Sequence, residues 1–116
     1  MKGLQEMALW RADEQILRVF IAETWWSRAR GLLGYPHIRT DQGLWIAPCA
    51  SVHGIGMSYA IDVLFLDAKL RILRCTRLKP WGMVACRHAR VAVEMDVGVC
   101  ERLGFQAGQI LRREPL

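Results

Sequence analysis

From Ile61 to Leu66 the chain reads Ile-Asp-Val-Leu-Phe-Leu, with apolar side chains on both alternating faces. That is the pattern of a strand covered on both sides, and it predicts a central position in a sheet. Shorter apolar runs, Met7 to Trp10 and Ile16 to Ala22, flank Asp13-Glu14-Gln15 and predict a strand, a turn and a second strand. Gly43 to Ile46, stopped by Pro48, then Leu70 to Leu78, Ala89 to Met95 and a closing edge strand at Gln109 to Leu111 complete the β pattern. The period changes once in earnest. After Thr24 as N-cap, Trp25, Ala29, Leu32 and Leu33 recur at helical spacing, with Gly34 and Pro36 beyond, so an amphipathic helix is expected over 24 to 33. Gly98 to Leu103 predicts a single helical turn closed by Gly104. Many short strands with so little helix give a mainly β, α+β domain, a curved sheet or partial barrel, over residues 6–116, preceded by a loose tail at 1–5.

Charge narrows the function classes. The net charge of +5 comes from 16 basic residues, 13 of them Arg, and these are scattered along the chain. A nucleic-acid footprint would mass them on one face with exposed aromatics between. No run approaches the ~18 apolar residues that span a bilayer, and Met1 to Met7 lacks the apolar core of a secretory signal, so no membrane partner and a cytoplasmic location are expected. Cys49, Cys75, Cys86 and Cys100 lie far apart, without Cys-x-x-Cys or a His at zinc spacing. They are expected to be four free thiols, with no metal and no cofactor.

Asp62 shares its strand phase with Leu64 and Leu66, which turns a carboxylate toward apolar neighbours. Such a group needs a hydrogen-bonding or cationic partner and serves either as a fold-locking tie or as the polar floor of a pocket. His53 sits on a glycine-loosened segment nine positions earlier, and with Ser51 it makes a local Ser/His/Asp set. That set lacks the Gly-x-Ser-x-Gly context of an acyl-transfer nucleophile. Glu94 is opposite in phase to Val91, Val93 and Met95, as on the wet face of a half-buried strand, unless curvature brings it to a cavity shared with Asp62. Of the five Trp, Trp25 and Trp45 read as core. Trp26 falls off the main stripe, and Trp81, in Lys79-Pro80-Trp81-Gly82, reads as a loop indole suited to a partner or ligand contact.

The run from Val52 to Asp67, with Arg30-Gly31-Leu32-Leu33 upstream and Gly104 to Gln109 downstream, resembles the DUF192 (UPF0127) family of small bacterial and archaeal domains over about residues 19 to 112. Ala60 stands where many relatives have proline, and Ala68-Lys69 where an Asp-Gly turn is common. The resemblance implies a fold; the biochemical activity of the family is not established. The leading reading is a non-catalytic accessory module that binds a small ligand or a protein through His53, Met57, Asp62 and Glu94. The alternatives are a small hydrolase-type enzyme using His53 and Asp62, and third a nucleic-acid-binding module.

Overall fold

The computed structural model describes residues 3–22 and 38–116. Nine strands and one short helix are formed there: β1 (Gln5–Arg11), β2 (Glu14–Ala22), β3 (Gln42–Ile46), β4 (Ser51–His53), β5 (Ile61–Leu66), β6 (Ile72–Leu78), β7 (Met83–Ala85), β8 (Val91–Asp96), α1 (Val99–Leu103) and β9 (Arg112–Pro115). The helix expected over 24 to 33 lies outside the described residues.

Seven strands make one mixed sheet in the order β6-β5-β8-β3-β2-β1-β9, while β4 and β7 form a separate two-stranded ribbon. β5 pairs on both sides, with β6 and β8, and all six of its residues are buried, as the doubly apolar pattern requires. β2 and β3 run parallel.

The sheet curls. Before β9 begins, Gln109 C=O accepts from Ile72 N–H and Leu111 N–H donates to Leu70 C=O, and four residues later Pro115 stands opposite Met7 of β1. One segment therefore touches both edges of the sheet and draws it into a partial barrel. The expected edge strand at Gln109–Leu111 is displaced: only Ile110 makes an isolated bridge, to Arg71, and the strand itself is Arg112–Pro115. Its Arg-Arg-Glu-Pro sequence is exposed throughout and carries no apolar alternation, so the hydrophobic pattern could not reveal it. Arg113 instead stacks over Trp45 at 4.9 Å, and Arg112 over Trp10 at 5.7 Å, joining β9 to the body.

Strand alternation divides the core in two. The inner cluster gathers Leu9, Leu17, Val19, Trp45, Leu64, Leu66, Val93 and Met95 with Val99 of α1 and Leu111, so α1 lies over the inner side. The outer cluster collects Phe20, Leu44, Val63 and Phe65 beneath Ile38, Val52 and Met57. The outer face is thus covered as well, which corrects the expectation that Glu94 is on a wet face: it is only 3% exposed, between Leu44 and Val63 on the neighbouring strands.

A second correction concerns the cysteines. Cys75 on β6 and Cys100 on α1 form a disulfide, with Cα atoms 6.3 Å apart, while Cys49 and Cys86 are half-buried and outside any disulfide. Cys75 stands opposite Leu64 on the inner face, where α1 crosses, so the fold creates a proximity that a separation of 25 residues conceals. The expectation of four free thiols is thereby overturned, and because disulfides persist mainly in oxidising compartments the cysteines lend no support to a cytoplasmic location. No helix among the described residues is long and apolar enough to cross a membrane.

Candidate functional site

Asp62 has a complete set of partners. Its Oδ2 accepts the backbone N–H of Gly98 at 2.9 Å and of Cys100 at 3.1 Å, and its Oδ1 lies 3.6 Å from Arg77 Nε on the paired strand. The first turn of a helix leaves backbone donors unsatisfied. Gly98, the N-cap, has no side chain to meet them, and Asp62 does so from the sheet. Its buried carboxylate is therefore compensated by two charge-assisted bonds and a cation.

His53 occupies a different setting. It is exposed at the end of β4, opposite Met83 of β7. Ser51, on the same strand, is also exposed, and among the described residues no hydrogen bond joins Ser51, His53 and Asp62. Met57 is buried in the outer cluster. Glu94 also belongs to the outer face, in phase with Ala92, whereas Asp62 is in phase with Leu64 and Leu66 of the inner one, so the sheet separates the two carboxylates. The Glu94 charge acts on Tyr59. Burial pushes the Tyr59 phenol upward, and the charges of Glu94 and Asp96 push it further the same way. Of the four residues singled out from sequence, Met57 and Glu94 share a face, Asp62 lies beneath α1, and His53 is on the ribbon.

Around His53 the ribbon ends in two interlocked turns. Gly54 N–H donates to Gly82 C=O at 2.8 Å, and Gly54 C=O accepts from Trp81 N–H at 2.8 Å. A Cβ on Gly54 would stand 2.6 Å from Lys79 O, so the two backbones approach as closely as only glycine permits. This clamp displays Ile55 (55% exposed), Trp81 (70%) and Met83 (72%) beside His53. Trp81 was legible as a loop indole. Ile55 and Met83 were not, because single apolar residues in short loops carry no periodic signal.

A concavity of about 370 Å³ opens elsewhere, lined by Asp67, Ala68, Lys69, Arg71, His88 and Arg90. It includes none of the four residues singled out from sequence. No cluster of metal-ligating side chains occurs among the described residues.

The family model of DUF192, described as "Uncharacterized ACR", matches residues 8–113. The chain belongs to the DUF192 family. A UPF0127 protein of Thermococcus sibiricus is 33% identical over 97 residues, covering 78% of this chain and 62% of the relative. A second, from Pyrococcus furiosus, is 43% identical over 63 residues, covering 53% of this chain and 54% of the relative. The chain thus spans only about half to three-fifths of the length of these relatives. Among solved structures, a protein of unknown function from Novosphingobium aromaticivorans superposes with a TM-score of 0.82 at 18% identity, over 97% of this chain and 88% of its own. A chain from Sinorhizobium meliloti gives 0.80 at 19%, over 96% and 94%. These likenesses show the fold of this DUF192 domain, and the family's function is uncharacterised.

Proposed function

We propose that this DUF192 domain is a non-catalytic binding module that engages a protein partner through the tip of the β4–β7 ribbon, with Trp81, Met83, Ile55 and His53 as its contact surface. The observation that carries this reading is the display of three large apolar side chains, each more than half exposed, on a tip held by backbone hydrogen bonds. Three such side chains on one short ribbon tip form an exposed apolar patch, and a patch of this kind rimmed by polar residues marks an interaction site. Trp is the residue type most enriched among interface hot spots, and a tip already fixed in place loses little freedom on binding. A protein rather than a small molecule fits, because these side chains do not line the described concavity. The hydrolase reading has less support: His53 has no hydrogen bond to Ser51 or Asp62, and the partners of Asp62 are structural.

Partners retained by the wild-type domain from extract of its source would be identified, purified and measured for affinity against the wild type and Trp81→Ala. A loss of about tenfold or more, equivalent to about 1.4 kcal/mol, with an unchanged melting temperature is the expected outcome. Equal affinity of the two proteins for every purified partner would refute the role of the tip.

A further inference from the structure

We propose that the concavity between the β5–β6 turn and the turn preceding β8 is an anion site for a small, hydroxylated phosphoester or sulfoester. Three cationic side chains, Lys69, Arg71 and Arg90, line it together with His88 and a single carboxylate, Asp67. Among the described residues, none of the four basic side chains donates a hydrogen bond or enters an ion pair. Some arginines elsewhere on the molecule do find partners: Arg74 donates to Ala85 C=O, Arg112 to Ala12 C=O, and Arg102 to Thr40 C=O. Three cations and a histidine against one carboxylate leave the concave wall with an excess of positive charge, which attracts an anion.

The wall is built before any ligand binds. Asp67 Oδ1 accepts the backbone N–H of both Lys69 and Arg71 at 2.9 Å, and Leu70 N–H donates to Asp67 C=O, which fixes the first turn. Arg90 N–H donates to Leu66 C=O at 2.8 Å and Ala89 N–H to Cys86 C=O at 3.2 Å, which fixes the second turn beside it. The backbone bond from Arg71 above all, and then that from Lys69, hold the Asp67 carboxyl below its usual range against partial desolvation, with the nearby Arg71 and Lys69 charges acting in the same direction. Both bonds fall on Oδ1, and Asp67 is the one carboxylate among the residues lining the concavity.

The chemistry of the ligand follows from that inventory. Two guanidinium forks suit the oxygens of a tetrahedral oxyanion, and an ionised acceptor beside them suits a hydroxyl on the same molecule. A volume of about 370 Å³ exceeds a bare oxyanion and admits one sugar-sized body. The site shares no side chain with the ribbon tip, so it stands or falls independently of the protein-binding reading.

The test is an amide NMR titration of the full chain at low salt with glucose 6-phosphate, glucose 6-sulfate, inorganic phosphate and glucose. Saturable shifts confined to residues 67–71 and 88–90 are expected with the two esters, weaker binding with inorganic phosphate, and none with glucose. The ratio of the two esters identifies which oxyanion is preferred. The exposed pair Arg71→Gln/Arg90→Gln should weaken ester binding by about tenfold or more while leaving the remaining amide spectrum in place, and Lys69→Gln supplies an independent third variant. Absence of shifts, shifts spread over all surface arginines in proportion to ligand charge, or unchanged affinity in all the variants would overturn the site.

Discussion

Cys100 is tied to Asp62 through its backbone: its N–H donates to the buried carboxylate at 3.1 Å, while its side chain is bonded to Cys75 on the neighbouring strand. Both ties hold one five-residue helix onto the inner face of the sheet. Isolated helices of that length do not persist in water, so the attachment of α1 depends on contacts of this kind together with burial of Val99.

Asp62→Asn therefore tests the cap. An amide retains one acceptor oxygen but gives up the charge that strengthens both bonds, and a loss of about 1–3 kcal/mol is expected. Urea denaturation measures the loss, and hydrogen exchange locates it: the Gly98 and Cys100 amides should exchange faster than in the wild type. The ion pair contributes less, because Arg77 is more than half exposed, so Arg77→Gln should be mild. Unchanged protection at those two amides in Asp62→Asn would remove the carboxylate from this role.

The disulfide makes a countable prediction. Without reductant, the unfolded protein should present two titratable thiols, Cys49 and Cys86, and four after reduction. Cys75→Ser/Cys100→Ser should lower stability by about 3 kcal/mol, as expected for closing a loop of this size. Because the bridge and Asp62 hold the same helix, adding Asp62→Asn to that pair should depart from additivity. Four thiols before reduction would contradict the bridge.

How much of this was legible depended on whether the determinant was local. Strand β5 was read with its observed bounds because both its faces are buried, and period-two alternation reports that directly. The turn at α1 and its Gly104 terminator, which has φ of 63°, were read because glycine in the left-handed region ends helices. Asp62 was recognised as a buried acid needing partners, yet those partners, Gly98 and Cys100, are 36 and 38 residues away. Backbone donors leave no trace in a sequence, so tie and pocket floor could not be told apart. Glu94 was misjudged for a related reason: alternation identifies one covered face and is silent on what folds over the other. The basic concavity escaped notice because its cations come from two turns brought together only by the β5–β8 pairing.

Tyr59 supplies a pH prediction. Its phenol is raised by burial first, then by the Glu94 and Asp96 charges. A group whose folded pKa exceeds its unfolded one stabilises the fold below the unfolded value, about 10 for a phenol, and the contribution is lost as pH rises through the folded value. The difference in alkaline absorbance titration between the wild type and Tyr59→Phe should therefore show a phenol ionising above that reference. In Glu94→Gln the same difference curve should move to lower pH, because one repelling charge is gone. An unmoved curve would mean that the Glu94 charge does not reach Tyr59.

Gly54→Ala separates the shape of the tip from its side chains. The added methyl would stand 2.6 Å from Lys79 O and 3.1 Å from Trp81 N, both backbone atoms that cannot yield by changing rotamer. The turns must part, and overpacking of this kind typically costs about 1–3 kcal/mol locally. The seven-stranded sheet does not share these hydrogen bonds, so its amides should keep their protection while those of Gly54 and Trp81 lose theirs. If the clamp is what presents Trp81 and Met83, affinity for a purified partner should fall in Gly54→Ala as it does in Trp81→Ala, although no contacting side chain has been removed. Full affinity alongside lost protection at Gly54 and Trp81 would show that binding does not depend on the preformed tip.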